Sequence, residues 1–206
     1  MSPRELLICR YPVEGQPGFL KHRFDPKWID LKLAQQWMRT CTEKHGSRCL
    51  NMLNSPPCFP AYLIDTELDC LIAGKEGLEY FALSYRWGTR HSFRTQRSSF
   101  EHITVPGGLS VYADNIPYTI SHAMHVVRSM GERYLWVDSI CLISDDREHL
   151  TEQLQLMGSI YACAKVTIVA SDGDAWTDYM VFKEHQGVPA SREIYQMSFR
   201  GWIIRQ

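Results

Sequence analysis

YFALSY (80–85), YLWVDSI (134–140) and KVTIVAS (165–171) are three short runs rich in aromatic and β-branched residues, and each has the length and composition of a buried strand. What lies between them decides how they pair. Asn115 and Pro117 open a segment in which Ile120, Ala123, Met124, Val127 and Met130 recur at helical spacing, with His122, His125, Arg128 and Glu132 on the other side. Between the second and third runs, Leu150, Leu154, Met157, Tyr161 and Ala164 form one stripe, and Leu156, Ile160 and Cys163 add a second. A helix with two apolar stripes is expected to be largely buried. Strand, helix, strand, helix, strand predicts an α/β domain with a mainly parallel sheet joined by right-handed crossovers.

ITVPGGLSVY (103–112) reads as two short strands around a Pro-Gly-Gly turn, an added hairpin beside the first strand's exit. Residues 50–79 contain Pro56, Pro57, Pro60, Gly74 and Gly77, which predicts short strands and turns such as AYLID at 61–65. Upstream, Asp30 can cap a helix carrying Ala34, Trp37, Met38 and Cys41, with Gly46 ending it. Pro3, Pro12, Pro17 and Pro26 break any period in residues 1–29, which read as an irregular arm. From Gly173 to Ser198 no period emerges, and a loop region is expected before FRGWIIRQ. The organisation predicted is an arm at 1–29 and one α/β domain over 30–206.

The 206 residues hold 22 Lys and Arg against 23 Asp and Glu, so no global field favours nucleic acid or an anionic membrane. No stretch approaches the roughly 18 apolar residues of a membrane span, and the opening residues lack a secretory pattern. A soluble, cytoplasmic protein is expected. Seven cysteines, an odd number, fit reduced thiols. Cys41, His45 and Cys49 lie four residues apart, and zinc would need a fourth ligand such as Cys58 or Cys70; packing explains them more simply. No glycine-rich nucleotide fingerprint, P-loop, G-x-S-x-G elbow or HExxH is present.

Ligands of parallel sheets bind at the carboxyl ends of strands. The three exits here are polar: Ser84, Tyr85, Arg86 and Trp87; Asp138, Ser139 and Cys141; Ser171, Asp172 and Gly173. Such residues either cap turns or face a small-molecule ligand. Arg86, Arg90, Arg94 and Arg97, interleaved with Trp87 and Phe93, either form a solvated loop or hold a phosphate while a ring stacks on a base. Cys141 is either a small core residue or a nucleophile served by Asp138 and one of His91, His122 and His149.

YFALSYRWG, NIPYTISHAMHVVRSMGERYLWVDSICL, QLQLMGSIYACAKVTIVAS and RGWIIRQ, in that order, resemble the heterokaryon-incompatibility (HET) domain of filamentous fungi. WMRTCTEKHGSRC and AYLIDT resemble what often precedes it. The resemblance implies a domain of fungal nonself recognition and programmed cell death, distantly similar to TIR domains with their doubly wound, flavodoxin-like three-layer sheet. Some TIR domains cleave NAD with a catalytic glutamate. On that analogy Ser84 and Arg86 face ligand, Asp138 and Ser139 border the pocket, and Tyr161 and Trp202 wall it. The family commonly closes RGWTLQE; here Arg200, Gly201 and Trp202 lead to Gln206, an amide where a carboxylate would stand.

The candidate catalytic set is thus Arg86, Asp138, Cys141 and Gln206. The candidate ligand-binding set is Ser84, Tyr85, Trp87, Ser139, Tyr161, Ser171, Arg200 and Trp202. No cofactor or metal is required, NAD being a candidate substrate; self-association into a homo-oligomer is the expected protein contact. Two alternatives stay open: an enzyme that isomerises, cyclises or dehydrates a small fungal metabolite, and an inactive interaction domain.

Overall fold

The computed structural model describes residues 31–45, 58–87, 92–170 and 202–205. In chain order they form α1 (Leu31–His45), β1 (Tyr62–Asp65), β2 (Cys70–Ala73), β3 (Tyr80–Tyr85), α2 (Arg97–Ile103), a 3₁₀ segment (Ser110–Asn115) and α3 (Tyr118–Ser129). They continue with β4 (Tyr134–Val137), α4 (Asp138–Cys141), α5 (Arg147–Cys163), β5 (Val166–Ala170) and β6 (Trp202–Arg205). The predicted arm at 1–29 and the loop at 173–198 lie outside the described residues.

The three apolar runs form the centre of one sheet of order β2-β1-β4-β3-β5-β6, in which β3 pairs in parallel with both β4 and β5. The expectation of a mainly parallel sheet is corrected outside that centre. β1 pairs antiparallel with both β2 and β4, and β6 antiparallel with β5, so the sheet is mixed. For the first hairpin the reason is local. Asp65 accepts hydrogen bonds from the backbone N–H of Glu67 and Leu68, and Asp69 takes φ 52°, so four turn residues reverse the chain. A connection that short permits only antiparallel pairing. Arg133 closes on the Asp65 carboxylate, with its Nη2 at 2.7 Å from Oδ2. Burial would push that carboxyl up, but the Arg133 and backbone hydrogen bonds outweigh it and hold it below its ordinary value.

The hairpin expected at 103–112 is likewise corrected. ITVPGGLSVY ends α2 and begins the 3₁₀ segment. Gly107 at φ 77° makes the reversal, and a Cβ on Gly108 would lie 2.1 Å from the His102 carbonyl oxygen. The turn then docks on the real hairpin, with the Gly107 and Leu109 N–H groups donating to the carbonyls of Leu68 and Asp69.

α3 follows its sequence pattern, burying Ile120, Ala123, Met124 and Val127. α5 does not. Leu154 and Leu156 are 50% and 39% exposed, and Gln153 lies inside, where its Oε1 accepts the Ala61 N–H at 3.1 Å. One sheet can cover only one side of a helix, and the side chosen runs through Leu150, Gln153, Met157, Ile160 and Tyr161. Tyr80 donates its hydroxyl to the Ile160 carbonyl at 2.6 Å, and Trp136 meets the Tyr161 ring edge-on at 5.2 Å. The crossover from β3 to β4 runs one way along the sheet and that from β4 to β5 runs back. Right-handed connections therefore put α3 and α5 on opposite faces.

Candidate functional site

The chains leaving β3 and β4 head for opposite faces, so the carboxyl ends of these two adjacent strands are where a ligand crevice is expected. β3 delivers Tyr85, Arg86 and Trp87 to its rim. β4 runs straight into α4, so Asp138 and Ser139 form the facing side.

A continuous chain of contacts spans the gap. The Trp87 indole N–H donates to Asp138 Oδ2 at 3.0 Å, and the Ser139 backbone N–H donates to Oδ1 at 2.7 Å. The Tyr85 hydroxyl donates to Ser139 Oγ at 3.0 Å. Arg94 places its guanidinium 4.2 Å above the Trp87 ring, within cation–π range. Below the rim, Tyr161 donates its hydroxyl to the Leu83 carbonyl at 3.2 Å.

Burial dominates the electrostatics of this cluster. It raises the Asp138 carboxyl above its ordinary value, against hydrogen bonds from Ser139 and Trp87 and the charge of Arg94 that pull it down. It pushes the Tyr85 phenol up to about 12, the Ser139 hydrogen bond opposing. Tyr161 is also raised, first by burial and then by the Asp138 charge. The crevice thus holds a carboxyl that keeps its proton to higher pH than an exposed aspartate, beside two phenols that stay protonated.

Thr95 positions the site, and no local pattern around it signals this. Fully buried, it donates its N–H to the Ser139 carbonyl at 3.2 Å and its hydroxyl to the Ile140 carbonyl at 2.6 Å. Its own carbonyl accepts from the Ser144 N–H and hydroxyl at 2.8 and 2.9 Å. Four hydrogen bonds through one residue thereby fasten the segment bearing Arg94 to the helix bearing Asp138. The signal is invisible in sequence because its partners lie more than forty residues away.

Other candidates separate from the crevice. Cys141 is 1% exposed, its hydrogen-bonding neighbours are backbone groups of β1 and β4, and burial pushes its thiol up to about 12. A thiol so enclosed is a core group, which corrects its reading as a nucleophile. His149 packs on Tyr62 at 5.5 Å, and His122 stacks on Tyr118, its pKa lowered to about 4 by burial and then by His125. Arg97 pairs with Asp146 at 2.9 Å and gives its N–H to Asp145. Ser84 is half-buried at the end of β3, and Arg86 is exposed on the rim. Ser171, Asp172, Gly173, Arg200, Gln206, Arg90 and His91 lie outside the described residues. Trp202 is placed by its backbone in β6, opposite Ala170. Cys41 and His45 sit on α1, their side chains and Cys49 outside the description. Among the described residues no three metal-ligating side chains gather, and no helix is long and apolar enough to cross a membrane.

The model of the heterokaryon incompatibility protein (HET) family matches residues 80–204. The chain belongs to the HET family. The matched region of this HET domain begins with β3 and runs into β6, so it contains the whole crevice and omits α1 and the β1–β2 hairpin. A curated relative, heterokaryon incompatibility protein 6, OR allele, of Neurospora crassa, is 32% identical over 95 residues. Those residues are 44% of this chain and 14% of the relative, so the HET domain here corresponds to a small part of that protein. No solved structure matches.

Proposed function

We propose that this HET domain serves fungal nonself recognition and the cell death that follows it, and that its crevice binds NAD and hydrolyses the bond between nicotinamide and ribose. The observation that carries the reading is the linked cluster of Arg94, Trp87, Asp138, Ser139 and Tyr85 between β3 and β4. Arg86 and Arg94 offer bidentate donors to a pyrophosphate, and the half-exposed Trp87 offers a ring for stacking. Three parallel strands with crossovers on both faces support kinship with flavodoxin-like and TIR-like folds.

In the proposed reaction the glycosidic C–N bond breaks and nicotinamide leaves with its electron pair, neutralising its own ring charge. Water oxygen bonds to the ribose carbon and its proton passes to a base. On the resemblance to the family's closing RGWTLQE, Gln206 takes the place of a glutamate, and that work then falls to Asp138, whose raised pKa suits proton uptake. The carboxylate also stabilises the cationic ribose as it forms.

Purified protein incubated with NAD, with nicotinamide followed by chromatography, tests this reading. Asp138→Asn is expected to slow release by about 100-fold or more, the usual worth of a positioned base. The amide at Gln206 favours a second reading, in which NAD binds without turnover. Saturable NAD binding with no nicotinamide release selects that reading, and absence of both overturns the two together.

A further inference from the structure

At the opposite end of β4 from the crevice, a solvent-open hollow of about 250 Å³ lies between α3, the 3₁₀ segment and the β1–β2 turn. Its chemistry is sharply divided. One end is ionic: Asp69, reached by the Ser110 hydroxyl, and Arg128, whose Nη1 donates to the Thr66 carbonyl at 2.7 Å. Leu109, Ile116 and Met124 form an apolar floor, each at most 5% exposed. Ser121 lines it one turn of α3 before Met124, away from the end marked by Arg128.

Asp69 and Arg128 line the same hollow, yet no ion pair joins them among the described residues. Only one guanidinium nitrogen of Arg128 is engaged by Thr66, and Asp69 is engaged by a neutral hydroxyl. Two opposite charges kept apart over an apolar floor match a ligand that carries both charges at one end and a hydrocarbon chain at the other. The volume falls below the roughly 300–1,000 Å³ that houses drug-sized molecules.

We propose that this hollow is a binding site for a free α-amino acid with an unbranched apolar side chain, its ammonium on Asp69, its carboxylate on Arg128 and its chain along Met124 towards Ser121. The site is separate from the NAD reading and stands or falls without it.

Isothermal titration of the full chain with L-norleucine, N-acetyl-norleucine and norleucine amide tests the assignment on the unaltered protein. Norleucine is expected to bind saturably, and removing either ligand charge is expected to weaken binding roughly tenfold or more, the loss of one charge-assisted hydrogen bond. Asp69→Asn keeps a residue type that tolerates positive φ and is expected to discriminate against norleucine by a similar factor. Arg128→Met, checked for folding by circular dichroism, is expected to do the same. No saturation by about 10 mM norleucine, or equal binding of all three ligands, overturns the proposal. Asp138→Asn is expected to leave norleucine binding unchanged.

Discussion

Asp138 is held in a setting that works against its charge. Burial raises its carboxyl, and the neighbouring donors only partly offset that rise. A carboxyl whose folded pKa lies above its unfolded value binds its proton more tightly in the native state, so its contribution to stability is present below the unfolded value and is lost as pH rises through the folded one. The loss begins near the ordinary aspartate value of about 3.9. Asp138→Asn removes this dependence, so urea unfolding of variant and wild type at a series of pH values is expected to move the stability difference in the variant's favour as pH rises from about 4. A difference that stays flat, or moves the other way, would show that Asp138 is not raised. Asp65 supplies the contrast within one chain. There, Arg133 and two backbone N–H groups favour the charged form, and its contribution is lost as pH falls rather than as it rises.

At the level of elements, the crevice depends on the clamp between the segment after β3 and α4. Thr95→Val is close to isosteric but leaves the Ile140 carbonyl without its donor, at a cost of about 1–3 kcal/mol. It also loosens Arg94 relative to Asp138, so ligand affinity is expected to fall in the same variant; denaturant melts and NAD titration measure the two effects. Strands β3, β4 and β5 were legible in sequence because each is a dense run of large apolar residues closed by polar ones, and that closure pointed directly to Tyr85, Asp138 and Ser139. Pro106, Gly107 and Gly108 announced a reversal but not what it joins, since a positive φ at Gly107 serves two helices as well as two strands. α5 misled for a related reason. Leu154 and Leu156 have the composition of core residues, and only the placing of Gln153 against Ala61 fixes which side faces inward. The Thr95 clamp and the ionic hollow depend on residues distant in sequence, and no local pattern encodes them.

In the whole molecule, the family region and the sheet do not share a boundary. The match to the HET family starts at residue 80, whereas β4 takes one of its two neighbours from β1, upstream of that point. A chain beginning at residue 75 would keep the crevice residues but bare the edge of β4 along Tyr134 and Leu135. It is expected to elute as aggregate in size-exclusion chromatography where the full chain does not; a stable monomer would mean that β3 and β5 suffice to hold β4. The same pairing has a temporal side. Ile64 leaves the ribosome about 70 residues ahead of Leu135, and at roughly 5–20 residues per second the β1–β2 hairpin waits several seconds for the strand that completes it. Through that interval β1 and β2 lack the strand that flanks β1 in the finished sheet, and their apolar residues stay exposed.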